Sequence, residues 1–191
     1  MNRKMAAAFG MGLVCLLPIY GSGMAGFPAT ERKPALDFRL IGPEDKTYTR
    51  ESFPADAVLV VYFGYTTCWR ACPTTLNTIA RALDALGASG KNIYPIFISL
   101  DAQRDTAEMV QSYANSFSAR FTGLTGAREE VLQAASSFDI PVQRVRYSED
   151  DTDYAMKHGS PILVWMPREA EPIRLPASTT SSELETAMTR S

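Results

Sequence analysis

The sequence predicts an α/β domain in which a central mixed sheet is flanked by helices, with an N-terminal β-hairpin. Two apolar runs rich in β-branched and aromatic residues, at residues 58–63 and 92–100, are typical of central strands that are covered on both faces. Each run is followed by a segment with apolar residues at helical spacing. Because strands and helices alternate in this way, we expect a sheet with a parallel core and with hairpins at its edges.

The N-terminal segment, residues 1–25, has the composition of an export signal rather than of a packed domain. Residues 2–4 are polar and basic, residues 5–20 form an apolar run without a charge, and Gly23 and Ala25 supply small residues at the positions that a signal peptidase reads. We expect export to the periplasm or to an oxidising compartment. The segment is then either cleaved as a signal peptide or retained as an N-terminal membrane anchor.

Residues 26–35 are predicted to form a polar linker, and residues 36–191 one domain. The domain opens with a hairpin, because the alternating residues 36–40 and the returning residues 47–49 flank a turn at residues 42–46 that contains Gly-Pro. No repeat or second domain is apparent in the sequence.

Helices are predicted where apolar residues recur on one face. The first helix opens at Pro73 and stops at Gly87, and the second begins at the capping sequence of residues 105–108. The predicted faces are Leu76, Ile79, Leu83 and Leu86 for the first helix, Met109, Tyr113 and Phe117 for the second, and Val131, Leu132, Ala135 and Phe138 for the third.

The C-terminal part of the chain is predicted to add more strands than helices. A short strand is expected at residues 121–124, and residues 143–147 and 152–157 flank an acidic turn as a hairpin. The last strand is expected at residues 162–166, and a terminal helix starts near Ser182.

Composition limits the functional classes that are open to the chain. The 191 residues carry a net charge of −2 and no long basic run, so nothing in the sequence indicates nucleic-acid binding. There are three cysteines and one histidine. Since Cys15 lies in the apolar leader, Cys68 and Cys72 are the only thiols of a processed protein, and His158 supplies its only imidazole.

The two thiols lie where a strand is predicted to give way to a helix. The apolar run ends at Gly64, Cys68 and Cys72 follow four positions apart, and Pro73 opens the helical pattern. The amides and the dipole of a helix N-terminus favour anions, so thiolates form more readily there than in free solution. A Cys-x-x-x-Cys in this position suggests a thioredoxin-like fold, although the usual redox motif, Cys-x-x-Cys, is one residue shorter.

These features resemble the Sco/SenC family of thioredoxin-like copper chaperones. The resemblance covers about residues 36–167 and rests on several short motifs in order. The motifs are Tyr62-Phe63-Gly64-Tyr65-Thr66 followed by Cys68, Cys72 and Pro73; Ser99-Leu100-Asp101 with Arg104-Asp105-Thr106; Leu124-Thr125-Gly126; and His158.

By this resemblance Cys68, Cys72 and His158 correspond to the family's copper ligands. The resemblance implies delivery of copper to the binuclear copper centre of cytochrome c oxidase subunit II. The implied partners are a copper-accepting oxidase subunit or another cuproprotein, and a thiol–disulfide reductant. Two thiolates and one imidazole suit Cu(I), which prefers soft ligands at a low coordination number. The imidazole matters more for binding of Cu(II), the harder ion, than for binding of Cu(I).

Departures from the family pattern bear on this function. Thr67 and Trp69 stand where the family usually has His and Pro beside the first cysteine. Pro161 stands where thioredoxin-like oxidoreductases place a cis-proline before a strand. We therefore predict a cis Ser160–Pro161 peptide, which would favour thiol–disulfide chemistry.

Three other functions remain open alongside copper delivery. In a thiol–disulfide oxidoreductase, Cys68 would attack as the thiolate and Cys72 would resolve the mixed disulfide. A redox or copper sensor would signal to a partner through the same residues, and a structural disulfide would only close a short loop. Three other residues have open roles. Asp101 either orients a ligand or caps the approach to a helix, and Trp69 either docks a partner or packs on the rim of the domain. Met156 is expected to pack in the core.

Overall fold

The computed structural model describes residues 38–150 and 152–190. In chain order the elements are β1 (Leu40–Ile41), β2 (Thr47–Tyr48), β3 (Val58–Gly64), α1 (Ala71–Leu86), β4 (Ile93–Ser99), α2 (Ala107–Asn115), β5 (Thr122–Leu124), α3 (Arg128–Ser137), β6 (Val142–Arg146), β7 (Tyr154–His158), β8 (Ile162–Trp165), β9 (Ile173–Leu175) and α4 (Ser181–Met188). The predicted leader and linker lie outside the described residues. Within the described part of the chain, no helix combines the length and the apolar character that crossing a membrane requires.

A five-stranded mixed sheet lies at the centre, in the order β5-β4-β3-β8-β9. β3, β4 and β5 run parallel, whereas β8 is antiparallel to β3 and β9 is antiparallel to β8. The predicted mixed sheet with a parallel core is therefore confirmed. Gly64 stands opposite Ser99, so the carboxyl ends of β3 and β4 lie side by side. The segments that follow these two strands meet at one edge, where α/β folds place their ligands.

Both faces of the sheet are covered, and all seven residues of β3 are buried. Successive side chains of a strand point to opposite faces. One core packs α1 and α4 against Val60 and Tyr62, and the other packs α3 and Leu40 against Val61 and Phe63. This two-sided burial explains why β3 is apolar at nearly every position.

Helix α1 follows the prediction closely. It begins at Ala71, so both Cys72 and Pro73 lie in its first turn, and its predicted face is buried at Leu76, Ile79 and Leu83. It ends where predicted, at Gly87, whose φ of 49° is in the left-handed region that glycine adopts without strain.

The predicted buried face of α2 is wrong at Met109, which is 47% exposed. The buried residues of α2 are instead Ala107, Val110 and Ala114. A Cβ on Gly123 in β5 would lie 2.8 Å from the Val110 carbonyl oxygen, so the helix backbone rests directly on the strand. Small side chains fit such a close approach, and the larger Tyr113 packs at its margin.

Helix α3 departs from the prediction at one position. Val131, Ala135 and Phe138 are buried as predicted, but Leu132 is partly exposed at 37%. Ala134 takes the inward place instead, which completes the i, i+3, i+4, i+7 stripe expected of a helix packed on a sheet.

Both predicted hairpins are present. β1 and β2 pair antiparallel, with Leu40 opposite Tyr48. β6 and β7 pair antiparallel, with Val142 opposite His158, but they form a separate two-stranded sheet rather than an edge of the central one. His158 is therefore the last residue of β7 and not part of a loop before β8. The sequence does not predict β9, whose three residues are too few to show a period.

The predicted cis Ser160–Pro161 peptide is wrong, because no cis peptide bond occurs among the described residues. A trans X–Pro bond is favoured unless a tight turn requires the cis form. The connection from β7 to β8 is not a tight turn, and it is held through the Gly159 N–H, which donates to the Pro141 carbonyl oxygen at 3.1 Å. With a trans bond before it, Pro161 no longer favours an oxidoreductase.

Candidate functional site

The connection from β3 to α1 places two cysteine side chains next to each other. Cys72 is fully buried in the first turn of α1, and Cys68 is half-buried in the loop before it. A Cβ on Gly64 would lie 2.8 Å from Cys72 Sγ, so only glycine at the end of β3 leaves room for this sulfur. The Cys72 N–H points at Cys68 Sγ at 3.5 Å, and both cysteines are free.

The two thiols differ in acidity because they share a hydrogen bond. A hydrogen bond from the Cys72 thiol is the main cause that lowers the pKa of Cys68 to about 5. Burial opposes this shift, whereas the N–H groups of Cys72 and Arg70 and nearby His158 add to it. The same hydrogen bond, together with burial, raises the pKa of Cys72. The pair therefore combines an accessible sulfur that favours the thiolate with a buried sulfur that favours the thiol.

His158 presents a nitrogen that is suited to a metal. Its Nδ1 lies 2.7 Å from the Gly159 carbonyl oxygen, which can only accept, so Nδ1 carries the hydrogen. Nε2 is then the nitrogen with the lone pair, and a backbone contact that fixes the tautomer in this way is typical of histidine ligands. The imidazole packs edge-to-face on Tyr65, with 6.0 Å between ring centroids.

The structure brings two of the three predicted ligands together and leaves the third nearby. Within residues 38–150 and 152–190, no three His, Cys, Asp or Glu side chains are close enough to hold a metal ion. Cys68 and Cys72 are in contact, whereas the hydrogen-bond contacts of the His158 ring within the described residues are with Gly159 and Ser160. A three-ligand site at these residues would need the imidazole to move towards the sulfurs.

Asp105 fixes the loop that carries the thiols. Its buried carboxylate accepts hydrogen bonds from the Thr66 N–H at 2.8 Å, from Thr66 Oγ1 at 2.5 Å and from Ser99 Oγ at 2.5 Å. The sequence suggested only that Asp105 belongs to a helix cap, but the cap is Thr106, which accepts from the Met109 N–H. The Asp105 carboxylate instead joins the end of β4 to the segment that precedes Cys68.

Comparison with known proteins identifies the family. The SCO1/SenC family model matches residues 28–190. The chain belongs to the SCO1/SenC family. A SCO2-like protein of Rickettsia felis is 32% identical over 124 residues, which cover 65% of this chain and 60% of that protein. The chain thus spans less than two thirds of that relative.

Solved SCO1/SenC structures have the same fold. ScoI of Bradyrhizobium japonicum with copper bound gives a TM-score of 0.70 at 30% identity, covering 80% of this chain and 96% of that one. ScoI of Arabidopsis thaliana with copper bound gives a TM-score of 0.69 at 30% identity, covering 78% and 91%. The thioredoxin-like fold and the Sco/SenC resemblance predicted from the sequence are both confirmed, and these two structural neighbours bind copper.

The Asp101 side chain of this SCO1/SenC chain does not cap a helix, because the cap of α2 is Thr106. Asp101 is buried and accepts from the Tyr154 hydroxyl and from Arg104 Nε, each at 2.5 Å. The Arg104 guanidinium also lies 3.6 Å from the centroid of the Tyr154 ring and donates to the Tyr154 carbonyl oxygen at 3.0 Å. Asp101 therefore anchors β7, the strand that ends at His158.

Two further predicted positions can be placed. Trp69, directly after Cys68, is 81% exposed, and the Arg70 guanidinium lies 5.2 Å from its ring centroid. Its ring therefore does not pack on the rim of the domain, and the docking interpretation stays a prediction. Met156 is half-buried against the core that includes α3, and the prediction that it packs is confirmed.

Proposed function

We propose that this chain is an exported copper chaperone that carries one copper ion on Cys68, Cys72 and His158 and passes it to cytochrome c oxidase subunit II. The observation that carries the proposal is the adjacent pair of free sulfurs in the connection from β3 to α1, with Cys68 just before the helix and Cys72 in its first turn. The copper-bound ScoI neighbours support it.

The residues fit copper as a cargo. Thiolates are the ligands that Cu(I) prefers, and two of them with one imidazole form a low-coordinate soft site. Cys68 can accept the ion without losing a proton, whereas Cys72 must release its own. Copper loading therefore releases protons, chiefly from Cys72. The imidazole enters through Nε2, since Nδ1 stays bonded to Gly159.

Delivery requires that a partner reach the ion. Cys68 is the more exposed of the two sulfurs, so an acceptor's ligand can replace it first while the buried Cys72 still holds the copper. The exposed Trp69 beside it offers an aromatic contact for that acceptor. Residues 1–25 would place the domain in the periplasm, either free after cleavage or anchored at the membrane.

The test is a competitive Cu(I) titration of the reduced full chain against a chromogenic chelator. All proteins carry Cys15→Ser, so that the leader thiol contributes nothing. We expect one tightly bound Cu(I), loss of tight binding in Cys68→Ser and in Cys72→Ser, and a smaller loss in His158→Ala. If the parent protein and the cysteine variants compete equally weakly, the proposal is wrong.

A second candidate function is thiol–disulfide oxidoreduction. It is favoured by the same pair, because an accessible low-pKa thiolate next to a buried thiol is what attack and resolution require. Here Cys68 attacks a substrate disulfide, one substrate sulfur leaves as a thiol, and Cys72 then attacks the mixed disulfide at Cys68 and releases the second substrate thiol. Insulin reduction, with a dithiol as the source of electrons, separates this activity from copper binding.

A further inference from the structure

Two tyrosines approach the thiol pair from inside the core. Tyr62 lies in β3, two residues before Gly64, and Tyr113 lies in α2. The Phe97 ring packs with both, its centroid 6.4 Å from that of Tyr62 and 5.4 Å from that of Tyr113. All three rings pack in the core that contains Cys72.

Both phenol oxygens are buried without a hydrogen-bond partner among the described residues. Buried polar groups are nearly always paired, so two unpaired hydroxyls in one core require an explanation. The Tyr62 hydroxyl is near the Thr75 hydroxyl and Cys72 Sγ, but neither contact has the geometry of a hydrogen bond. Thr75 gives its own hydrogen to the Ala71 carbonyl oxygen at 3.2 Å.

The Cys72 sulfur lies among these side chains. A Cβ on Gly64 would be 2.8 Å from Cys72 Sγ and also 2.8 Å from Cε2 of Phe97, so the sulfur lies close to the ring that packs with both tyrosines. Both unpaired hydroxyls are therefore buried in the core that holds this sulfur.

We propose that Tyr62 and Tyr113 are positioning residues that donate their hydroxyl hydrogens to the Cys72 sulfur when it holds copper. The inference rests on the proposed function. A neutral thiol is a weak acceptor, whereas a sulfur bound to Cu(I) carries negative charge and forms stronger, charge-assisted hydrogen bonds. Such outer contacts orient a metal ligand and tune its affinity. Two donors that are unpaired in the free protein thus stabilise the loaded one.

The variants Tyr62→Phe and Tyr113→Phe remove only the hydroxyls. In the full chain with Cys15→Ser, we expect each to lower Cu(I) affinity roughly tenfold in the chelator competition. The melting temperature of the copper-free variants should stay the same or rise, because the lost hydroxyl had no partner. Tyr94→Phe, in the core on the opposite face of the sheet, is the matched control and should change neither value.

A spectroscopic readout separates this role from packing. Hydrogen bonds to sulfur lower the energy of its donor orbital, so their loss should shift the thiolate-to-Cu(II) charge-transfer band to lower energy. Unchanged affinity and band in both variants, with binding still abolished in Cys72→Ser, would overturn this inference alone. A joint fall in affinity and copper-free melting temperature would assign the hydroxyls to packing and overturn it too. If the parent protein binds no Cu(I), both the proposed function and this inference are wrong.

Discussion

The ring of Tyr65 stands edge-on against the imidazole of His158, with 80° between the two planes. Burial, followed by the charges of Cys68 and Cys72, raises the pKa of Tyr65 to about 12, so the same side chain is also close to the thiols. Tyr65 thus contacts the imidazole and also lies near the sulfur pair. We infer that this ring shifts when His158 joins the two sulfurs around one ion.

Tyr65→Ala should therefore accelerate entry of the imidazole. Removing the ring leaves His158 free to swing, so the absorption of the thiolate- and imidazole-bound Cu(II) form should develop several-fold faster after rapid mixing. The amplitude of Cu(I) binding should change little, because the sulfurs are untouched. Tyr147→Ala, at an exposed tyrosine, is the control. Equal rates in all three proteins would show that the Tyr65 ring is no barrier.

The pH dependence of alkylation should report the unequal acidity of the thiols. With the pKa of Cys68 lowered to about 5, its rate of reaction should fall only as the pH drops through that value and should be flat from neutral pH upwards. An ordinary thiol with a pKa of about 8.5 would instead react faster with each step of pH up to that value. Mass spectrometry should find Cys68 modified first.

Cys72→Ala is the matched variant for this measurement. It removes the hydrogen bond that contributes most to the acidity of Cys68. The midpoint of the alkylation profile should therefore move to higher pH. First modification of Cys72 in the unaltered chain would reverse the assignment of the two thiols.

Asp105→Ala should destabilise the domain by about 3 kcal/mol, because hydrogen bonds to a buried charged group are lost and their donors are left unpaired. The effect is measured as the free energy of unfolding in urea. Thr66→Val is a graded comparison: it removes the hydroxyl contact but keeps the N–H donor, so a loss of about 1 kcal/mol is expected. If both variants cost the same, the contacts of Asp105 with the Thr66 N–H and with Ser99 contribute nothing.

Tyr154→Phe should loosen the strand that ends at His158 without touching the thiols. The hydrogen bond to buried Asp101 is lost, which should cost roughly 1.5–3 kcal/mol. Amide hydrogens of β6 and β7 should exchange faster, while those of β3 keep their rates. Cu(II) binding should weaken more than Cu(I) binding, since the imidazole matters most to the harder ion. Tyr147→Phe, lacking a buried contact, should have none of these effects.

Local patterns were sufficient to predict the strand, loop and helix that carry the thiols. The apolar run of β3, its end at Gly64 and the apolar spacing of α1 are all read within a short segment. A strand that is buried on both faces is apolar at nearly every position, and a helix that is buried on one face has apolar residues at helical spacing. Family motifs supplied the rest of that prediction, including the ligand role of His158, which remains a proposal.

The roles of the two acidic residues could not be predicted, because they depend on distant contacts. Asp105 meets Thr66 across 39 positions of sequence, and Asp101 meets Tyr154 across 53. Neither pairing leaves a periodic signal. The orientation of α2 escaped prediction for a related reason, since Gly123 on another element decides how closely the helix approaches.

The placement of the two tryptophans gives this chain an internal optical probe. Trp69 is in water beside Cys68, whereas Trp165 is buried opposite Leu59 near the other end of β3, edge-on to Phe138 with 6.4 Å between centroids. Emission from the exposed indole lies at longer wavelength than that from the buried one. We expect an ion held at Cys68 to quench the long-wavelength part and to spare the other. Fluorescence of the unlabelled protein should then report occupancy of the thiol pair.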